Sequence, residues 1–167
     1  MDLVARTVLV LVAALPFATT AAATEYVLST GVALPRGGAA EVVSMAGMRR
    51  TLVAGLLGEA SVARIPSASG GACLSALASV RPWGGLRTGA GLLAVRASDR
   101  HSPARTETVH AAGFQFACGV QLPLASGIGM DVDARYVYFD RPEGRTAPDR
   151  FATRYWTLTL GLAIAGD

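Results

Sequence analysis

Two-residue periodicity in the C-terminal half limits this chain more than any other feature. Between residues 110 and 122 the even positions hold His110, Ala112, Phe114, Phe116, Cys118, Val120 and Leu122, and the odd ones hold Ala111, Gly113, Gln115, Ala117, Gly119 and Gln121. Further on, Ile128, Met130, Val132, Ala134, Tyr136 and Tyr138 alternate with Gly129, Asp131, Asp133, Arg135, Val137 and Phe139. Near the end, Trp156, Leu158, Leu160, Leu162 and Ile164 alternate with Tyr155, Thr157, Thr159, Gly161 and Ala163. Successive side chains of a β-strand point to opposite faces. Each stretch therefore sorts into one apolar face and one small or polar face.

Cutting the sequence at its turn signals gives eight segments of strand length: Glu25–Leu34, Glu41–Arg49, Leu52–Ile65, Ala72–Val80, Leu86–Ser98, Val109–Leu122, Ile128–Phe139 and Arg154–Ala165. Runs of about ten residues with this alternation are the signature of strands that cross a membrane. The first five carry it more weakly. EVVSMAGMR at 41–49 also reads as a helix, since Met and Ala favour helices. The connections alternate in length. The odd-numbered ones (PRGGAA, PSASGGA, DRHSPARTET and DRPEGRTAPDR, with flanking residues) are longer than the even-numbered ones, near Arg50–Thr51 and at RPWGG and PLAS. Long loops on one side and short periplasmic turns on the other are the pattern of transmembrane barrels.

The N-terminus supplies a route of export. Arg6 precedes an apolar stretch from Thr7 to Ala18, which runs into small residues ending Ala21-Ala22-Ala23. That is the three-part pattern of a secretory signal peptide. A membrane anchor is the weaker reading, because the stretch falls short of the ~20 residues a spanning helix needs. Residues 1–23 are expected to be cleaved and 24–167 to form one domain. Charged residues make up 16% of the chain, against roughly 25% in soluble domains. Mean hydropathy is positive, yet no apolar run beyond residue 23 is long enough for a spanning helix. An exported chain this apolar can satisfy its backbone in lipid only as a closed barrel.

A soluble eight-stranded barrel would show the same period with its faces reversed. Its solvent face would then be Gly, Ala, Ser, Thr and Gln, whereas soluble surfaces carry roughly 25–35% charged residues. With the apolar face outward, the lumen holds small residues and the charges Glu59, Arg81, Arg87, Asp131, Asp133 and Arg135. The interior of such a barrel is just wide enough to be filled by side chains. On the outward face Tyr136, Tyr138 and Trp156 fall toward the loop end and Tyr26 toward the turn end, with Trp83 in a turn. Interfacial aromatic girdles require that placement. The expected fold is all-β, an eight-stranded antiparallel up-and-down transmembrane β-barrel.

Signal segment, alternating strands and alternating loop lengths together resemble the small outer-membrane β-barrel family. That group comprises opacity-type surface antigens and the membrane domain of outer membrane protein A. The resemblance covers residues 24–167 and rests on pattern. It implies a place in the Gram-negative outer membrane, surface-exposed loops, and work in envelope integrity, adhesion or immune contact. The group usually ends in an aromatic residue, where this chain has Ala165-Gly166-Asp167.

The residues that could carry chemistry are few. The inward charges read as a paired plug more readily than as an ion path, because a lumen this narrow stays filled. Some small outer-membrane barrels modify lipid A with a His-x-Ser pair on a lipid-facing strand. Here His110 faces lipid, but Ala112 stands where the Ser would be. Asp99, His101 and Ser102 crowd one loop without a nucleophile–base geometry that the sequence can show, so no catalysis is expected. The loop arginines Arg36, Arg64, Arg100, Arg105, Arg141, Arg145 and Arg150 suit the phosphates of lipopolysaccharide, since the guanidinium fork matches phosphate oxygens. The remaining expected contacts are outer-membrane lipid and a host or envelope partner at the loops. Cys73 falls on the inward phase and Cys118 on the outward one, so two free thiols are expected. No metal set, cofactor motif or nucleic-acid-binding pattern is present.

Overall fold

The computed structural model describes residues 24–36, 38–53, 55–64, 70–102, 105–139 and 153–166, so the expected signal segment lies outside it. Eight strands follow in order: β1 (Thr24–Pro35), β2 (Glu41–Val53), β3 (Leu56–Arg64), β4 (Gly70–Val80), β5 (Leu86–Ser102), β6 (Arg105–Ala125), β7 (Ile128–Phe139) and β8 (Arg154–Ala165). Each pairs antiparallel with its chain neighbours, and β1 pairs with β8 from Glu25↔Ala165 to Pro35↔Tyr155, which closes the barrel.

The segment at 41–49 is a strand, and it runs on to Val53. Cross-strand pairing decides this over the helix preference of Met and Ala. Its residues are bonded on both sides, to β1 through pairs such as Met45↔Ser29 and to β3 through pairs such as Arg49↔Glu59. Tight turns join the strands at the opposite end from the long 140–153 connection. Gly55 and Gly127 take φ of 79° and 72° there, a region that costs a glycine nothing.

The third long loop expected from the sequence is instead mostly sheet. Pairing of β5 with β6 continues through Asp99↔Glu107 and Arg100↔Thr106 to Ser102↔Arg105. Asp99, Arg100, His101, Ser102 and Arg105 therefore belong to a paired hairpin. The backbone ladder needs no apolar side chains to continue in water, so the strands outrun the apolar stretch that marked their ends.

Directly opposed residues share a face, and every opposed pair in the main ladders matches odd with odd or even with even. One parity therefore runs round the closed ring: odd positions face the lumen and even positions face out. Val27, Ser29, Val43, Glu59, Ser75, Leu93, Asp131 and Thr157 are buried, while Leu28, Val42, Phe116, Leu158 and Leu160 are each more than half exposed. Large apolar side chains are exposed on all eight strands, an exterior of a kind that soluble monomers rarely present. It matches hydrocarbon. Aromatic rings gather at the loop end of this wall. Tyr136 lies against Trp156 at 5.1 Å, Phe114 stacks on Tyr138 at 4.8 Å, and the Arg154 guanidinium lies 5.0 Å from the Tyr138 ring centre.

Leu158 stands near the middle of β8 on the outer wall, which makes it a sharp probe of that wall. Leu158→Arg should destabilise the barrel in lipid vesicles by about 2–4 kcal/mol, as for a cation at the bilayer midplane. A denaturant titration of the vesicle-inserted protein measures this.

Candidate functional site

The lumen is layered. At the turn end, the Arg81 Nη2 donates to Gln121 Oε1 at 2.8 Å and to Glu25 Oε1 at 3.4 Å. Arg81 is only partly covered, with 35% of its side chain exposed. It caps the mouth rather than joining the buried charges with which its inward phase had grouped it. The reason is its position: Arg81 is the first residue past β4, where the wall ends.

Below the mouth lies the charged centre. Arg49 reaches across the lumen with both Nη atoms to Asp131, each at 3.2 Å, and its Nε donates to Glu59 at 3.1 Å. Arg87 donates to Asp133 Oδ1 at 2.8 Å and lies 3.5 Å from both Asp131 and Glu59. Arg135 bridges Asp133 and Glu59. Three guanidinium groups thus face three carboxylates, all at 3% exposure or less. The set is neutral, and every charge has at least two opposite partners. Buried charges are tolerated only when paired in this way, and the bidentate Arg49–Asp131 contact is the strongest form of such a pair.

Gly119 makes part of this geometry possible. It sits between Arg87 on β5 and Asp133 on β7, facing inward. A Cβ there would fall 2.6 Å from Asp133 Oδ1 and 2.8 Å from Arg87 Nη2. The ion pair crosses β6 over the space that the missing side chain leaves.

Above the charges, Ser61 and Ser75 share a hydrogen bond of 2.8 Å. The loop end of the lumen is then filled by Ala33, Val43, Cys73, Leu93, Val95, Val137, Phe139 and Tyr155, with Phe139 and Tyr155 edge to face at 6.5 Å. Cys73 is buried inside and Cys118 exposed outside, and both are free.

The structure thus brings together Glu59, Arg87, Asp131, Asp133 and Arg135, leaves Arg81 at the mouth, and adds Arg49 and Glu25, which sequence reasoning missed. The signal for both was parity. They are odd-numbered, as are all the inward residues, but each lay at a segment end where phase was not followed. The apolar lid was missed for a different reason: its residues looked like interruptions of a polar face.

Elsewhere, His110 is exposed on the outer wall opposite Arg96, with Ala112 next on its face. Arg100 and Arg105 sit on the β5–β6 extension, whereas Arg141, Arg145 and Arg150 lie outside the described residues. Arg36 and Arg64 are exposed at the loop end. Among the described residues no group of His, Cys, Asp and Glu could hold a metal ion.

Solved structures share this architecture. The N-terminal β-barrel domain of Pseudomonas aeruginosa OprF superposes with a TM-score of 0.62 at 13% identity, over 86% of this chain and 97% of that one. This chain has the fold of a small outer-membrane β-barrel. Neisserial surface protein A gives a TM-score of 0.61 at 15% identity, over 86% of this chain and 96% of that one. Ail, the attachment invasion locus protein of Yersinia pestis, gives 0.55 at 10% identity, over 88% and 100%, in a structure with the heparin analogue sucrose octasulfate. No protein-family model and no curated protein matches the sequence.

Removing one arginine leaves the buried set with one carboxylate more than it has guanidinium groups. Arg49→Met should cost about 3–5 kcal/mol, as for other broken buried pairs. Arg81→Met, at the wet mouth, should cost less than about 1 kcal/mol. Urea titration of the two variants in the same vesicles gives the comparison.

Proposed function

We propose that residues 24–167 form an outer-membrane barrel with a structural or surface-interaction role, exported by cleavage of residues 1–23. The sorting of the two faces carries this reading. The exterior offers Leu, Val, Phe and Trp side chains to hydrocarbon, and the interior closes on itself through a neutral ion-pair set and an apolar lid. A lumen filled in this way leaves little room for a ligand, as is usual for eight strands. Contact with partners then falls to the loop end, where β5 and β6 extend the wall with Arg100 and Arg105 on that extension, and the sequence of the last connection supplies Arg141, Arg145 and Arg150. These cations suit anionic surfaces, the phosphates of lipopolysaccharide first among them, and a host or envelope partner at the tips. The sulfated ligand in the Ail structure is of the same charge class. The reading includes no catalysis: Ala112 stands where the Ser of a His-x-Ser pair would follow His110.

Cell fractionation tests the reading. The protein should appear in the detergent-extracted outer membrane as a band that migrates differently boiled and unboiled. Exchange of residues 99–107 and 140–153 for Gly/Ser linkers should abolish binding of intact cells to immobilised heparin and leave the band shift unchanged. Recovery from the periplasm without detergent would contradict the face assignment, and linker variants that bind as before would contradict the role of the tips.

A further inference from the structure

Charge on the two faces is distributed unequally. Every acid whose side chain is described, Glu25, Glu41, Glu59, Asp131 and Asp133, stands at an odd, inward-phase position. The even face carries Arg36, Arg64, Arg96, Arg154 and His110 at its loop end, and Arg50 alone at its turn end. Among the described residues the even-numbered face therefore gathers its arginines mostly at one rim and carries no carboxylate of its own.

One stretch of that rim opens onto a groove. It is a shallow depression, open to the outside, that crosses the outer wall from β8 to β4 with a volume of about 640 Å³. Leu28, Leu160 and Leu162 form one bank and Val62 the other, and the floor between them is short: Thr30, Ser44 and Ala46. Register explains the hollow. Thr30 is opposite both Ser44 and Leu160, and Ala46 is opposite both Leu28 and Val62, so small residues on β1 and β2 sit between large ones on either side. The Thr30 hydroxyl donates to the Val43 carbonyl at 3.3 Å, which keeps its donor occupied within the sheet. Arg64 lines the loop end of the groove, and the pairs Arg64↔Ala72 and Ala72↔Arg96 place a second arginine at the same height on the wall. Strand spacing places Arg96 about 10 Å from Arg64.

We propose that this groove seats an acyl chain of lipid A, with a phosphate of the same molecule held by Arg64. The inference rests on the outer-membrane reading, which puts the loop end in the leaflet that contains this phosphorylated glycolipid. An apolar trough ending at the exposed Arg64 guanidinium matches a molecule that is a hydrocarbon chain below and a phosphate above. Arg96, two strands away, stands within reach of a second anionic group on the same headgroup.

The test is native mass spectrometry of the full-length processed chain in mild detergent, with lipid A, dephosphorylated lipid A or phosphatidylglycerol added at equal concentration. The wild type should retain lipid A and lose the other two. Arg64→Ala removes the phosphate contact and should lower the retained fraction about tenfold, the scale of one charge-assisted hydrogen bond. Ala46→Leu fills the trough and should lower it as well. Ala134→Leu, the same change on the outer wall of β7 away from the groove, should retain lipid A like the wild type. The shift on boiling shows that each variant is folded. Undiminished retention in Arg64→Ala or Ala46→Leu, loss in Ala134→Leu, or equal retention of either comparison lipid by the wild type overturns the proposal. Fractionation reports separately on the membrane placement. An outer-membrane protein whose variants bind alike would sink the groove and leave that placement standing.

Discussion

A sheet can lie in hydrocarbon only if no edge of it is left unpaired, because nothing in the bilayer core can hydrogen-bond an open row of N–H and C=O groups. The ladder between β1 and β8 removes the last edge here, and the rest of the architecture follows from it. Closure forces the parity of the first strand to agree with that of the eighth. One misplaced residue in the ring would turn every later side chain to the wrong face. The irregularities at Thr51/Val53, Arg100/Ser102 and Pro123/Ala125 all lie near strand ends, where they leave that parity intact through the wall.

The interior shows how a narrow barrel without a conventional core holds together. Its loop half packs like one, with Leu93, Val137, Phe139 and Tyr155 in contact. Its turn half is ionic. A wholly apolar lumen would leave two similar faces and little to choose between them. Six buried charges choose decisively: with the faces reversed, each would enter lipid, at about 2–4 kcal/mol for every Arg near the midplane. The cluster thereby specifies which way each strand faces as well as filling space, and its neutrality keeps that specification from costing the native state an unpaired charge. Gly119 shows how closely the set is fitted, since a single methyl group would lie within 3 Å of both Arg87 and Asp133.

Much of this was legible in the sequence, and the exceptions have physical causes. Strands β6 to β8 announced themselves because their outward residues are large and their inward ones small or charged. β2 did not, because Ser44, Ala46 and Gly47 blur the contrast, and only its partners on both sides make it a strand. Arg49 was lost with it. Segment ends were drawn where apolar residues stop, so the β5–β6 extension, in which backbone pairing continues past them, read as a loop. The lid was hidden in plain alternation: Val137 and Phe139 share a face with Asp131, Asp133 and Arg135, and only height along the lumen separates them. Periodicity carries facing but no information on depth. Depth comes from register, which a single strand does not contain.

The two native cysteines allow the most direct test of the facing that everything else depends on. Cys118 is exposed on the outer wall and Cys73 is buried in the lid. A nitroxide thiol label applied to the folded protein in detergent, before its transfer to lipid vesicles, should react at Cys118 alone. Its electron paramagnetic resonance signal should then relax more with oxygen, which partitions into hydrocarbon, than with a water-soluble nickel complex. Labelling of Cys73 in the folded state, or a Cys118 label relaxed mainly by nickel, would contradict an outer wall that faces lipid.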